Sequence, residues 1–152
     1  MPRPSVLFIC THNSARSQMA EGLLRGRLGH RFEAASAGTT PGGVNPLAVE
    51  AMREIGIDIS GHTSKHVDDA VAGRSFDYVV TVCDSAKETC PYVPASRMNM
   101  HQSFEDPSAA SGSPEERLSV FRRVREEIAA WIDATFTSIR STSEHQEPRT
   151  EK

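Results

Sequence analysis

Residues 5–29, SVLFICTHNSARSQMAEGLLRGRLG, decide the fold. The first six, SVLFIC, form a short, almost wholly apolar run of strand length, the pattern of a parallel strand buried on both faces. From Arg16 onward the period changes. Met19, Leu23, Leu24 and Leu28 recur at helical spacing, and Gly29 marks the stop. Residues 11–15 alone separate the two patterns, so a strand feeds a helix through a short loop, as a βαβ unit begins.

Working outward, residues 31–37 read as a second strand running into Gly38, and glycines and prolines make 38–46 a loop. Pro46 opens a helix carrying Leu47, Val49, Met52 and Ile55, which closes at Gly56. A shorter helix is expected at 67–72, a strand at 76–83 (FDYVVTVC) and another at 97–100. The final helix spans 115–139, with Leu118, Phe121, Val124, Ile128, Trp131 or Ile132, Phe136 and Ile139 on one stripe. Its charged face (Arg122, Arg123, Arg125, Glu126, Glu127) reads as solvated. Residues 141–152 are polar and read as a disordered tail. The expectation is an α/β fold: a small open parallel sheet of about four strands with helices on both faces, one domain over 1–140.

The 152 residues suit one domain with its own core. Hydrophobic residues make up 38% of the chain, in runs too short for a membrane span. A net charge of −3 argues against a dedicated binder of nucleic acid or of an anionic membrane. The start, Met-Pro-Arg-Pro, carries no signal-peptide pattern, which makes the cytoplasm the expected location. The three cysteines, Cys10, Cys83 and Cys90, are odd in number and unequally spaced, unlike a secreted disulfide framework.

In an open α/β sheet, ligands bind beyond the carboxyl ends of the strands. Cys10 ends the first expected strand and Cys83 the later one, so both belong to that edge. The loop Cys10-Thr11-His12-Asn13-Ser14-Ala15-Arg16-Ser17 turns successive N–H groups inward beside a helix N-terminus, a nest for a tetrahedral oxyanion. It lacks the glycines and lysine of a nucleotide loop and begins with a thiol instead. The same N–H groups and Arg16 favour the nucleophilic thiolate. Arg16 can hold two oxyanion oxygens at once, Ser17 can donate to the sulfur, and Asn13 tolerates a left-handed backbone. A cysteine ending a strand is also an ordinary small buried side chain. Its place between a strand and a helix favours the nucleophile.

Cys-x5-Arg-Ser near the amino terminus resembles the low-molecular-weight tyrosine phosphatases. The fuller string VLFICTHNSARSQMAEG resembles the thioredoxin-coupled arsenate reductases built on that fold. The likeness continues through SAGT (36–39), TVCDSAKETCP (81–91), FEDP (104–107) and RRVREEI (122–128).

The resemblance implies that Cys10 attacks arsenate and that Cys83 attacks Cys10 to release arsenite. Cys90 then attacks Cys83, and thioredoxin reduces the resulting disulfide. The intervening DSAKET favours helix, so it is expected to unwind or loop out for the two sulfurs to meet. The family's general acid falls on Asp106, held in an extended loop by Pro107; Ser108 follows where the tyrosine phosphatases usually carry an aromatic. Family members also often bind potassium, here through Asn13, Glu21 and Ser36. Lys65 stands where a further acid is expected, and its ammonium can replace the cation, so no tightly bound cofactor is expected. Ala15 leaves no spare thiol inside the loop. His62 and His66 read as solvated loop residues, and His12 as loop scaffold.

Two other readings remain open on the residues. One is an aryl phosphate or phosphotyrosine phosphatase in which Cys83 and Cys90 protect Cys10 from oxidation. The other is a non-catalytic oxyanion sensor. A monomer is expected, with arsenate and thioredoxin as partners and neither nucleic acid nor membrane among them.

Overall fold

A computed structural model describes residues 3–84, 88 and 90–139 of the chain. Its elements are β1 (Ser5–Cys10), α1 (Arg16–Leu28), β2 (Glu33–Gly38), α2 (Pro46–Arg53), α3 (Val67–Ala70), β3 (Tyr78–Thr81) and β4 (Met98–His101). A 3₁₀ turn over Pro107–Ala109 and α4 (Pro114–Phe136) complete the order. The four strands form one sheet in the order β2-β1-β3-β4, parallel at every pairing. The order reverses direction between β1 and β3, which puts the edge beyond Cys10 at the switch point where such sheets bind ligands.

Alternation along β1 divides the core. Val6, Phe8 and Cys10 pack with residues of α1, α2 and α4, whereas Leu7 and Ile9 pack on the other face with Val67, Phe76 and Val79. All six residues of β1 are buried, which is why its sequence lacks the polar alternation of a half-exposed strand. Helices therefore cover both faces, though α3 is a single turn supplemented by Val93 and Ala95 of a loop.

Two helix boundaries follow directly from residue chemistry. Gly56 has φ +81°, its N–H donates to Arg53 O, and Ile57 N–H donates to Met52 O. This is a Schellman stop, so the glycine expected to close α2 does so from just beyond the last regular turn. At the start of α4, Ser113 Oγ accepts from Glu116 N–H (3.1 Å) and Glu116 Oε1 accepts from Ser113 N–H (2.7 Å). That capping box, followed by Pro114, contributes about 1 kcal/mol and fixes where the longest helix begins.

Some expectations need correction. The strand expected over 76–83 is regular only from Tyr78 to Thr81, so Cys83 lies two residues past its end. The chain still pairs once more there, with Val82 N–H donating to Ile9 O at 2.8 Å, before it turns away. Helix α4 stops at Phe136, with Ile139 packed against the core beyond it. Arg125 is not on a solvated face: it is buried, and its Nη1 donates to Ala51 O (2.9 Å) and Glu54 Oε1 (3.0 Å). Packing α2 on α4 buries carbonyls at the end of α2, and a long basic side chain supplies the missing donor. The tail expected over 141–152 and most of the DSAKET link lie outside the described residues. No helix among the described residues is long and apolar enough to cross a membrane.

Candidate active site

The loop after β1 runs from Cys10 directly to Arg16 at the head of α1. Asn13 is in the left-handed region (φ 49°), the one such non-glycine among the described residues. Its buried side chain ties the loop to three elements. Nδ2 donates to Ser17 Oγ (2.8 Å) and Ser36 Oγ (2.9 Å), and Oδ1 accepts from Lys65 N–H (2.9 Å). Ser36 Oγ donates in turn to Glu21 Oε1 at 2.6 Å. Gln18 Nε2 and Ser64 Oγ each donate to the Asn13 carbonyl. Gly38 completes the cradle: a Cβ there would lie 2.5 Å from Thr11 O and 2.8 Å from Asn13 N, so only glycine lets β2 approach this closely.

Cys10 is buried and free, with Sγ 2.8 Å from Ser17 Oγ. Because Ser17 Oγ already accepts from Asn13, its own proton is free to point at the sulfur. Arg16, 2% exposed, opens α1 at the loop's far end. Burial works against its charge, but hydrogen bonding to Glu88 and the charges of Cys10, Asp106 and Glu88 outweigh that and raise its pKa. Asp106 Oδ2 is 3.6 Å from Arg16 Nη2. The other carboxylate oxygen, Oδ1, accepts from Ser108 N–H (3.0 Å) and Ser108 Oγ (2.6 Å), which orients the acid. The Asp106 loop is held from behind. Phe104 packs edge-on against Trp131 of α4, its N–H donates to Val82 O, and Arg123 pairs with Glu105.

Cys83 and Cys90 are joined in a disulfide with Cα atoms 6.2 Å apart. Cys83, Cys10, Arg16 and Asp106 thus converge on one sheet edge. The residues named for the loop, Thr11, His12, Asn13, Ser14, Ala15 and Ser17, follow Cys10 at that edge, and Ser17 Oγ touches its sulfur.

The site contains features that sequence reading missed. Glu88, part of the DSAKET link, places its carboxylate on Arg16. Nη1 reaches Oε2 at 2.6 Å and Nη2 reaches Oε1 at 2.8 Å. Thr11 Oγ1 and Asp84 N–H also donate to that carboxylate. The Arg16 hydrogen bonds, followed by those from Thr11 and Asp84, hold its pKa down at about 2 against the opposing effect of burial. An acid between Cys83 and Cys90 was the available signal; its reach to Arg16 was not legible without the disulfide. His62 is also not solvated. Its Nδ1 lies 2.9 Å from Gln18 Oε1 and its Nε2 2.8 Å from Arg25 Nη1. Since arginine can only donate, Nε2 accepts and the ring is the neutral Nδ1–H form. His66 instead caps α3, its Nδ1 accepting from Asp68 N–H.

Lys65 Nζ donates to Ser36 O (3.0 Å) and Thr63 O (3.4 Å), beside Asn13, Glu21 and Ser36. No group of three or more His, Cys, Asp or Glu suited to a metal occurs among the described residues.

Comparison with known proteins agrees with this architecture. The family model described as low molecular weight phosphotyrosine protein phosphatase matches residues 5–145. An arsenate reductase of Halalkalibacterium halodurans is 48% identical over 132 residues, covering 87% of this chain and 94% of that protein. Among solved structures, an arsenate reductase in the phosphate binding state superposes with a TM-score of 0.72 at 30% identity, covering 90% of this chain and 99% of that one. A thioredoxin-dependent arsenate reductase from Corynebacterium glutamicum matches with a TM-score of 0.57 at 31% identity, covering 88% of this chain and 63% of that one. The chain belongs to the low molecular weight phosphotyrosine protein phosphatase family, among its arsenate reductases.

Proposed function

We propose that this chain reduces arsenate to arsenite through a relay of Cys10, Cys83 and Cys90, with thioredoxin as electron donor. The Cys10 thiolate attacks arsenic while the loop N–H groups and Arg16 hold the oxygens, and Asp106 protonates the departing oxygen. The Cys83 thiolate then attacks Cys10 Sγ. A sulfur–sulfur bond forms, the sulfur–arsenic electron pair stays on arsenic, and arsenite leaves. Cys90 attacks Cys83, frees Cys10 as a thiolate and leaves the Cys83–Cys90 disulfide. Arsenic has gained two electrons and two thiols have lost them; a dithiol of the thioredoxin type restores both. All of this needs one chain, so a monomer suffices.

The observation that carries this reading is the pairing of a Cys83–Cys90 disulfide with a free Cys10 in the anion loop, the redox state in which such a relay ends. Support for thioredoxin comes from the Corynebacterium glutamicum relative, which is thioredoxin-dependent. The test is NADPH oxidation on adding arsenate, with thioredoxin and thioredoxin reductase present, beside Cys90→Ser. Arsenate-dependent consumption that the variant cannot sustain supports the relay; consumption unchanged in the variant contradicts it.

Cys10, Arg16 and Asp106 would equally hydrolyse an aryl phosphate, and their convergence keeps that second reading alive. Under it, Cys83→Ser and Cys90→Ser leave the physiological activity intact. We also propose that Lys65 takes the place of potassium. An ammonium hydrogen-bonded to two carbonyls leaves a cation little to coordinate there, so no step is assigned to a metal.

A further inference from the structure

We propose that Glu88 is an internal ligand of the oxyanion site that closes it while Cys83 and Cys90 are joined, so that the oxidised chain is barred from binding a second arsenate before it is reduced. The proposal rests on the reading of the 10–17 loop as an oxyanion site.

The geometry is that of a bound oxyanion. A carboxylate presents two oxygens at a fixed angle to the Arg16 fork and takes both terminal nitrogens, as two oxygens of a tetrahedral anion would. Thr11, the first residue after the nucleophile, turns its hydroxyl to the same carboxylate. Arg16 is the site's buried cation, and its charge is already matched. The surrounding cleft, about 160 Å³ in volume, is lined by Asp84, Glu88, Asp106, Ala109, Ala110 and a Glu105 paired with Arg123, a mouth whose charged groups are carboxylates and which disfavours a further anion.

The disulfide makes this contact conditional. Cys83 and Cys90 enclose Glu88 in a short ring, and two hydrogen bonds pin it to Asp84: Glu88 N–H to Asp84 O (2.8 Å) and Asp84 N–H to Glu88 Oε2 (2.9 Å). A ligand tethered this tightly acts at an effective concentration in the millimolar range or above. Opening the disulfide lengthens the tether and lowers that concentration. The consequence fits the chemistry. In the oxidised chain Cys10 is free again, yet Cys83 has no thiol with which to resolve an arsenate adduct. An arsenate bound then would form a dead-end adduct.

The experiment compares inorganic phosphate binding to oxidised and phosphine-reduced forms of the wild type, Glu88→Ala and Glu88→Gln, by calorimetry, after thiol titration confirms each redox state. Oxidised Glu88→Ala should bind phosphate at least about tenfold more tightly than oxidised wild type, with Glu88→Gln between them. Reduction should tighten the wild type and narrow the gap between it and the variants. Equal affinity in the oxidised wild type and Glu88→Ala overturns the proposal while leaving the oxyanion site standing. An equal gap in both redox states overturns the gating. Absence of binding in every form overturns both the proposal and the oxyanion reading beneath it.

A second readout needs no phosphate. In the oxidised chain Cys10 is the sole free thiol. Glu88→Ala should therefore raise the ratio of its alkylation rates by anionic iodoacetate and neutral iodoacetamide, and an unchanged ratio counts against the plug.

Discussion

Cys10 Sγ and Ser17 Oγ stand 2.8 Å apart, and with Asn13 Nδ2 donating to the seryl oxygen its own proton is free to be given to a Cys10 thiolate. The pair joins the end of β1 to the first turn of α1 and places a neutral hydrogen-bond donor on the proposed nucleophile. A hydrogen bond to a charged partner contributes about 1.5–3 kcal/mol. Ser17→Ala should therefore lower kcat for p-nitrophenyl phosphate by roughly ten- to a hundredfold, with KM nearly unchanged. A loss confined to KM would remove the role from Ser17.

Asp106 has one oxygen on Ser108 and the other facing Arg16. Proton transfer by a positioned acid is worth about 10²- to 10⁴-fold. Asp106→Asn keeps the turn's hydrogen-bond acceptor and removes the proton. Its kcat on an aryl phosphate with a poor leaving group should fall within that range, and the loss should shrink as the leaving group improves. A loss independent of the leaving group would point to loop disruption instead.

His62 links the surface to the anion loop through Gln18. Burial, with the nearby charges of Arg25 and Lys65, holds its pKa below the usual 6.5 despite the opposing pull of Glu21. A folded-state pKa below the unfolded one means that the stabilisation is fully present above about pH 6.5 and is lost as pH falls through the folded value. Thermal unfolding should show Tm declining from pH 7 towards pH 5, and His62→Gln should decline less steeply. Parallel declines would place the acid sensitivity elsewhere.

Lys65 Nζ donates to Ser36 O at 3.0 Å, the contact behind the proposal that its ammonium replaces a cation. Turnover of the wild type should be the same in potassium and sodium chloride at equal ionic strength. Lys65→Asp removes the ammonium and adds a carboxylate, so it should make activity depend on potassium. Potassium activation of the wild type would contradict the assignment.

The fold was legible because β1 and α1 announce themselves by period, Pro46 and Gly56 punctuate α2, and one apolar stripe marks α4, whose Ser113–Glu116 capping box was not read. The placement of the 10–17 loop was legible for the same reason: a strand end and a helix start bracket Cys10 and Arg16. What escaped detection depends on distant partners. Glu88 reads as one polar residue in a short polar link until the disulfide brings it to Arg16. Arg125 and His62 look solvated in a linear sequence because the buried carbonyl of Ala51 and the side chain of Gln18, which claim them, lie far along the chain. Trp131 was expected in the core, and its contact with Phe104 shows the core bracing the Asp106 loop.

The most direct test of the relay is a single turnover without thioredoxin. Fully reduced protein, with its three cysteines titrated as thiols, is mixed with excess arsenate; arsenite, remaining thiols and the position of any disulfide are then measured. The account predicts one arsenite per chain, two thiols lost, and a disulfide mapped between Cys83 and Cys90 with Cys10 still alkylatable. Arsenite formed with all three thiols intact, or a stable disulfide that includes Cys10, would contradict it.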